Sequence, residues 1–452
     1  MVSIGVDIGT TTICACVLDT NTGEVLKTWT KKHGFIAAPS PKTKIQSVNE
    51  IESMISAILN EITTNYDDIA CLGLTGQMHG ILYLDSHGSP VSPLITWQDE
   101  RGNEIVPGET VSYAQKLSQL TGYPCATGFG AVTHFYNVNN DLVPSDAVSF
   151  CTIHDYIMMK LGRLNKPVTH PSDAASIGLF DLTANKFDEK AIIAAGMDPS
   201  FFPAVSHNLS SETAYGFPAA VAIGDNQACF HGSVRDPQNS ILVNVGTGSQ
   251  ISCWTKCFHS GSETIETRPY LKNDYILSGS SLCGGRAYAL LESFFREFLS
   301  EAGYSADSLY DVMNRMAASY DTLSDPLIVE TTFCGSRQNP DLRGSISNIG
   351  TDNFTPAHLT AGFLQGCVNE LYAYFEQILP IIKRKPRYLV GSGNGLRRNP
   401  ALQSMFSRTF QMELLIPAHL EEAAYGAALF AMICTMPDRD PQEIRNLIRY
   451  QD

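Results

Sequence analysis

The residues near the N-terminus fall into short strand-like runs that are separated by polar turns. These runs occupy residues 3–6, 13–18 and 24–30, with Gly/Thr-rich or Asp/Asn-rich segments between them. Runs of this length joined by tight turns are typical of antiparallel strands. The apolar residues of 48–62 then recur at helical spacing, and 69–74 is again a strand-like run. The pattern predicts a three-stranded meander, a helix and a further strand.

The same order returns in the second half of the chain. Strand-like runs at 241–244 and 250–254 flank a Gly/Thr loop, an apolar helix covers about 361–382, and a strand at 387–390 leads into a Gly-rich loop. This repetition predicts two related α/β domains. We place them at residues 1–228 and 229–452, with the boundary in a Gly- and Ala-rich segment near 218–232.

Two loops have the composition of a phosphate-binding nest. They are Asp-Ile-Gly-Thr-Thr-Thr at 7–12 and Val-Gly-Thr-Gly-Ser at 245–249. Glycine lets backbone N–H groups approach a ligand and threonine adds hydroxyl donors, so such a loop can hold phosphate without lysine. Alone, the first loop is better explained as a plain hairpin turn. The second copy favours two nests that hold a polyphosphate between the domains.

Three further features fit a nucleotide-dependent enzyme, and each has a structural alternative. Asp7 stands at a strand end and could hold Mg²⁺, which prefers carboxylate and phosphate oxygens. Asp225 follows an apolar run, but Asp is also common as a helix cap. The Gly-rich loop at 391–395 suits either a flat nucleoside or a tight strand-to-helix connection.

The composition of the chain disfavours some classes of binding partner. The formal charge is -15, which disfavours nucleic acid and anionic membranes. No segment approaches the roughly 18 apolar residues of a membrane helix, and the N-terminus lacks the pattern of a signal peptide. The 12 cysteines include no CxxC pair, so we expect reduced thiols in a cytoplasmic protein rather than a structural zinc site.

Six motifs, taken in their order along the chain, resemble FGGY carbohydrate kinases. They are Asp-Ile-Gly-Thr-Thr (7–11), Gly-Gln-Met-His-Gly (76–80), Trp-Gln-Asp (97–99), Gly-Asp-Asn-Gln-Ala (224–228), Gly-Thr-Gly-Ser (246–249) and Gly-Ser-Gly-Asn-Gly (391–395). Residues 422–428 also look like the last helix of that family. The resemblance covers nearly the whole chain. It implies an α/β fold of two duplicated ribonuclease-H-like domains of the actin type, with the active site in a cleft between them.

The resemblance also implies roles for single residues. Asp225 would be the catalytic base, and Asp7 would organise Mg²⁺ through water. The sugar would lie near Gln77, Met78, His79, Trp97, Asp99 and Asp225. The nucleotide, ATP, would be held by Thr10, Thr11, Thr12, Gly246, Thr247, Gly284, Gly285, Gly391, Ser392, Gly393 and Asn394.

Within the family, Thr-Ile-His-Asp-Tyr at 152–156 resembles the subgroup whose substrate is sedoheptulose. The expected reaction is transfer of the γ-phosphoryl group of ATP to a primary hydroxyl of that ketose. A kinase of another ketose or polyol, such as xylulose, is the nearest alternative. A non-catalytic actin-like ATP-binding protein or a sugar sensor is the alternative of another class. Pro171 departs from the subgroup, which more often has Asp there, and His154 and Asp155 are expected to anchor the sugar-binding part.

Overall fold

The computed structural model describes residues 1–262, 264–318, 324–336, 339 and 341–451. Two compact units divide the chain. Unit 1 consists of Met1–Arg235, Pro269–Asn273 and His419–Arg449, and unit 2 consists of Asp236–Arg268, Asp274–Ala418 and the C-terminal residues from Tyr450. Segments from both sides of the predicted boundary after residue 228 therefore contribute to unit 1.

The first stretch of unit 1 alternates strands with short helices. Its strands are β1 (Val2–Ile8), β2 (Thr12–Asp19), β3 (Val25–Lys32), β4 (Ile45–Gln46), β5 (Ile69–Gly76), β6 (Leu82–Leu84), β7 (Leu94–Ile95), β8 (Ser149–Cys151), β9 (Val168–Thr169), β10 (Phe180–Asp181), β11 (Lys186–Phe187), β12 (Ala204–Val205), β13 (Ser210–Glu212), β14 (Pro218–Ala220) and β15 (Ile223–Gly224). Its helices are α1 (Val48–Asn65), α2 (Tyr113–Thr121), α3 (Gly130–Asn139), α4 (Ile153–Leu161), α5 (Pro171–Ile177), α6 (Glu189–Ala194) and α7 (Asp225–Ser233).

The rest of the chain contains longer helices. Its strands are β16 (Ser240–Val245), β17 (Ser249–Thr255), β18 (Ile265–Pro269), β19 (Tyr275–Ser281), β20 (Ile328–Glu330), β21 (Ser345–Ser347), β22 (Tyr388–Ser392) and β23 (Glu413–Leu415). Its helices are α8 (Gly284–Glu301), α9 (Tyr310–Ala317), α10 (Pro356–Ile382), α11 (Asn394–Arg397), α12 (Pro400–Phe410), α13 (Glu422–Thr435) and α14 (Pro441–Arg445).

The sheet of unit 1 begins with the predicted meander. β1 pairs antiparallel with β2, β2 pairs antiparallel with β3, and β1 pairs parallel with β5, in the order β13-β14-β5-β1-β2-β3. Helix α1 begins after Ser47, whose hydroxyl accepts a hydrogen bond from the N–H of Glu50. Its apolar face packs in one core with Ile4 and Val6 of β1. The predicted helix and strands of this segment are confirmed.

The opposite face of β1 is covered by α13, from the far end of the sequence. Successive side chains of a strand point to opposite faces, so Ser3 and Gly5 face away from α1. Ser3 Oγ donates to the carbonyl oxygen of Ala428 at 3.0 Å. A Cβ on Gly5 would overlap the carbonyl oxygen of Ala424. Small residues therefore let the helix backbone approach the sheet closely.

Unit 2 repeats the central pairing of unit 1. Its sheet has the order β18-β19-β17-β16-β22-β23, with β16 antiparallel to β17 and parallel to β22. The strands β16, β17, β19 and β22 thus correspond to β1, β2, β3 and β5. The predicted α/β class with two duplicated sheets is confirmed. Within the described part of the chain, no helix combines the length and the apolar character that a membrane span requires.

Candidate active site

Three strand ends bring two candidate carboxylates to one edge of the unit 1 sheet. Asp7 of β1 pairs with Thr75 of β5, and Ile223 of β15 pairs with the same Thr75 from the other side. These strands are parallel, so their carboxyl ends share the edge at which α/β sheets bind ligands. Asp225 is the first residue of α7, directly after β15. Asp7 and Asp225, which belong to separate motifs, therefore lie at the same edge.

The carboxylates at this edge repel one another. Burial, followed by the negative charges of Asp225 and Glu421, raises the pKa of Asp7 to about 7, while His154 opposes the shift. Glu421 stands just before α13 and was not singled out by any sequence motif. Oxygen ligands of this kind suit a hard divalent cation such as Mg²⁺, because its charge relieves the mutual repulsion. The residues present therefore fit the predicted ion.

Hydrogen bonds connect the first Gly/Thr loop with two predicted sugar-binding residues. Thr10 Oγ1 accepts from Trp97 Nε1 at 3.0 Å and donates to Gln77 Oε1 at 3.2 Å. Gln77 Nε2 donates to Gln46 Oε1 at 2.8 Å, and Gln46 Nε2 donates to the carbonyl oxygen of Thr10 at 2.6 Å. The loop and the candidate sugar pocket are thus one polar cluster. Sequence reasoning missed Gln46, because it belongs to no recognisable motif.

Met78 and His79 occupy the turn that follows β5. Met78 is buried, and its thioether packs against Gly224 at the start of α7. His79 has a left-handed backbone with φ of 73°, its ring stacks on Phe129 at 4.7 Å, and its Nδ1 donates to the carbonyl oxygen of Ser176 at 2.7 Å. A carbonyl oxygen only accepts, so this bond fixes a proton on Nδ1.

Both carboxylate oxygens of Asp99 accept hydrogen bonds from other groups of the protein. Oδ1 accepts from Arg101 Nε at 2.7 Å, and Oδ2 accepts from the backbone N–H of Lys44 at 3.0 Å. These bonds fix the loop that carries Trp97, and a direct contact of Asp99 with a sugar stays a prediction. In the first Gly/Thr loop, Thr11 is exposed and Thr12 opens β2.

The short buried helix α5 supports several of these groups from behind. Ser172 Oγ accepts from the backbone N–H of Gly224 at 3.0 Å, next to Asp225. Asp173 Oδ2 lies 2.8 Å from His154 Nε2, and Ser176 binds the ring of the candidate sugar-binding histidine. One helix thus braces three parts of the candidate site.

The sequence indicated the supporting role of α5 only in part. Residues 173–178 resemble the sedoheptulose subgroup, but nothing in that likeness showed that their polar side chains point at the sheet edge. Pro171, the departure from the subgroup, is the first residue of α5, where no N–H is needed for a helical hydrogen bond. The substitution is therefore compatible with the helix.

The predicted nucleotide-binding loops of unit 2 converge on one end of its sheet. Gly285 donates its N–H to the carbonyl oxygen of Gly246 at 2.9 Å, and Arg286 donates to that of Thr247 at 2.9 Å. A Cβ on Gly284 would lie 2.6 Å from the carbonyl carbon of Gly248. The first turn of α8 therefore rests directly on the Gly/Thr loop.

The second Gly-rich loop reaches the same strand end. Asn244 Nδ2 donates to Ser392 Oγ at 2.8 Å. Gly393 has a φ of 85°, and a Cβ on it would lie 2.6 Å from the carbonyl oxygen of Val245. Gly391 and Ser392 are the last two residues of β22 and are buried, and Asn394 is the exposed first residue of α11. At position 393, only glycine can adopt this left-handed backbone and also approach the carbonyl oxygen of Val245 so closely.

Comparison with known proteins covers both units. Sedoheptulokinase of Mus musculus is 24% identical to this chain, over 97% of this chain and 99% of its own length. Gluconokinase of Bacillus subtilis (strain 168) is also 24% identical, over 96% of this chain and 87% of its own length. The crystal structure of gluconate kinase from Lactobacillus acidophilus has a TM-score of 0.85 at 20% identity and covers 99% of this chain and 92% of that chain.

The family itself is defined by two domains. Residues 2–241 match the N-terminal domain of the FGGY family of carbohydrate kinases. Residues 253–434 match its C-terminal domain. The two matches together span most of the chain, and the chain belongs to the FGGY family of carbohydrate kinases.

Proposed function

We propose that this chain is an ATP-dependent ketose kinase that converts sedoheptulose to sedoheptulose 7-phosphate. The observation that carries the proposal is the position of Asp225, the first residue of α7, at the same sheet edge as Asp7. Phosphoryl transfer needs a group that accepts the proton of the attacking hydroxyl and a second group that organises the metal ion. This edge supplies a carboxylate for each task.

In the proposed reaction, Asp225 accepts the proton of the primary hydroxyl as the hydroxyl oxygen attacks the γ-phosphorus of ATP. The new oxygen–phosphorus bond forms, the bond from the γ-phosphorus to the β,γ-bridging oxygen breaks, and ADP leaves with that electron pair. The proton then passes from Asp225 to solvent. Asp225 stands at the N-terminus of α7, where the positive end of the helix dipole attracts negative charge.

The nucleotide would be bound by backbone groups more than by side-chain cations. In unit 2, Gly246, Thr247, Gly284 and Gly285 would hold phosphate oxygens, and the loop around Gly393 would lie beside the adenosine. Thr10, Thr11 and Thr12 would surround phosphate from unit 1. Asp7 would hold Mg²⁺ through water, and the bound ion would neutralise charge on the transferred phosphoryl group.

The sugar would contact the polar cluster around Gln77. His79 is rigidly held, and Trp97 is 44% exposed, so its indole is available to cover the apolar face of a sugar. The likeness to a sedoheptulokinase over nearly its whole length supports this substrate. Since a gluconokinase is equally identical, the preferred acceptor has to be measured.

The test is ATP consumption by the full chain with Mg²⁺ and a panel of sedoheptulose, xylulose, gluconate and glycerol. We expect the highest kcat/KM with sedoheptulose, and phosphorus NMR of the product should show a phosphate ester on the terminal carbon. A higher kcat/KM with another acceptor would overturn the substrate assignment. ADP release that does not depend on any acceptor would overturn the kinase assignment.

The role of Asp225 has its own test. Asp225→Asn keeps the size of the side chain and removes the base, so kcat should fall by about 10²- to 10⁴-fold while ATP binding persists. Asp68→Asn is the matched control. Asp68 lies just before the opposite end of β5, 72% exposed in a surface ion pair with the N-terminus, and its loss should leave kcat unchanged. Near-normal turnover by Asp225→Asn would remove it from its role.

A further inference from the structure

We propose that His154 is a positioning residue, a buried cation that holds Asp225 ionised and in place at the sheet edge. The inference rests on the proposed function, because that function makes Asp225 the base.

His154 forms a fully buried ion pair. Its Nε2 lies 2.8 Å from Asp173 Oδ2, and the two side chains are 0% exposed. Burial alone would lower the pKa of His154, but Asp173, Asp155 and Asp225 together raise it to about 9. The imidazole therefore carries a positive charge at neutral pH. A buried charge of this kind is stable only with a close partner, which Asp173 supplies.

The other ring nitrogen faces the strand ends that carry the two carboxylates. A Cβ on Gly76 would lie 3.0 Å from His154 Nδ1 and 2.8 Å from the carbonyl oxygen of Ile8. Gly76 pairs with Ile8 on one side and with Gly224 on the other. These two neighbours are adjacent in sequence to Asp7 and Asp225. The cation thus lies next to Gly76, the residue that pairs with both of these neighbours, and glycine at this position leaves room for the ring.

The same turn of α5 fixes both ends of this arrangement. Asp173 binds His154, and the preceding Ser172 accepts from the N–H of Gly224 at 3.0 Å. A shift of this turn would move the cation and the start of α7 together. One turn of α5 therefore positions both the cation and the backbone at the start of α7.

The cluster fits an ion pair better than a metal ion. Ligand atoms of His154, Asp155 and Asp173 all lie within 4.8 Å of one another. Two ligands of a tetrahedral zinc ion, each about 2.0 Å from it, are about 3.3 Å apart. The separation of 2.8 Å between His154 Nε2 and Asp173 Oδ2 is shorter, as expected for two oppositely charged groups in direct contact.

The decisive variant is the double substitution His154→Gln with Asp173→Asn. It replaces the ion pair by a neutral pair of similar size, so neither partner is left as an unpaired charge, and the buried Asp155 is the same in both proteins. We expect kcat to fall by about 10- to 100-fold, because the positive charge is lost from the imidazole, the partner that lies nearer the strand ends in this low-dielectric site. The Kd for ATP and the melting temperature should stay near the wild-type values. A double variant with wild-type kcat would show that the pair is only structural and would overturn the proposal.

A second variant tests the charge with a different side chain. His154→Lys keeps a cation beside Asp173 and should turn over faster than the double variant. A folded His154→Lys protein as slow as the double variant would contradict the role of charge.

Wild-type activity and Asp225→Asn separate this inference from the proposed function. If wild type shows no sugar-dependent ATP consumption, the function itself fails, whereas a normal double variant in an active enzyme overturns only the role of His154.

Discussion

His79 combines an unfavourable backbone conformation with three contacts that hold it. Its N–H donates to Ser176 Oγ at 3.2 Å, its Nδ1 donates to the carbonyl oxygen of the same residue at 2.7 Å, and its ring stacks on Phe129. A left-handed residue other than glycine costs about 1–3 kcal/mol, and such strain is frequent at functional sites. The contacts fix the ring in one orientation, as sugar recognition requires.

We expect His79→Asn to weaken sugar binding without unfolding the protein. Asparagine tolerates the left-handed conformation, so the backbone is preserved while the ring is lost. The KM for the sugar should rise at least about tenfold, since a ring that places a polar group contributes on the order of 1–2 kcal/mol. Steady-state kinetics should show an unchanged KM for ATP.

The exposed His87 provides the control for this substitution. His87→Asn changes the same side chain in a surface turn and should leave both KM values unaltered. If His79→Asn binds sugar as well as His87→Asn does, the assignment of His79 to the sugar site is wrong.

Sequence motifs predicted the residues of this site better than their surroundings. Gly-Gln-Met-His-Gly marked Gln77, Met78 and His79, which lie together after β5. The residue that holds His79 is Ser176, 97 positions away. Local patterns give no information about contacts at such separation, and that is why Ser172 and Gln46 were missed.

At the scale of elements, α13 determines how the unit 1 sheet is covered. Gly426 of this helix faces α7, where a Cβ would overlap the carbonyl oxygen of Ala228, and Gly73 of β5 meets Ala427 in the same way. The likeness to the last helix of the family predicted that α13 exists. Since α13 is apolar on nearly all sides, its periodicity indicated burial but not the partner.

We predict that Gly426→Ala destabilises unit 1. Alanine would favour the isolated helix by about 1 kcal/mol, but its methyl group has no space against α7, and overpacking of a core costs about 1–3 kcal/mol or more. A net loss of about 1–2 kcal/mol should appear in urea or thermal unfolding.

Gly34→Ala is the comparison variant, because a Cβ at that position meets nothing within 4 Å. It should be neutral or slightly stabilising. Equal stability of the two variants would mean that α7 and α13 can separate without cost.

At the scale of the whole molecule, the duplicated architecture was predictable and the path of the chain was not. Strand lengths and turn residues predicted the two meanders, because these are local properties. The return of 419–449 to unit 1 is a long-range packing choice. No change in amino-acid composition marks this return in the sequence.

The stability of the molecule should fall in mild acid because several histidines are buried in neutral form. Burial lowers the pKa of His134 to about 4 and that of His170 to about 3. In the unfolded chain these groups take up a proton near pH 6.5. Between that pH and the folded pKa, the unfolded state binds more protons, so each contribution is complete above about pH 6.5 and is lost as pH falls.

Replacing one of these histidines should make the acid loss shallower. From pH 7 to pH 5, wild type should lose about 1–2 kcal/mol more of unfolding free energy than His134→Gln. Urea unfolding at the two pH values gives the difference, and His87→Gln, an exposed control, should follow wild type. Parallel losses in His134→Gln and wild type would show that His134 is not neutral in the folded protein.

Because segments of unit 1 flank unit 2 in the sequence, the ribosome synthesises the parts of unit 1 at different times. α7 ends at Ser233 and α13 ends at Thr435. The ribosome needs on the order of 10–40 s to add the roughly 200 residues between them, at about 5–20 residues per second. During that time the face of β1 and β5 around Gly5 and Gly73 lacks its helix, while nearly all of unit 2 is being synthesised. A nascent chain therefore exposes an uncovered sheet to chaperones, and Asp225 obtains its folded surroundings only after α13 has been synthesised.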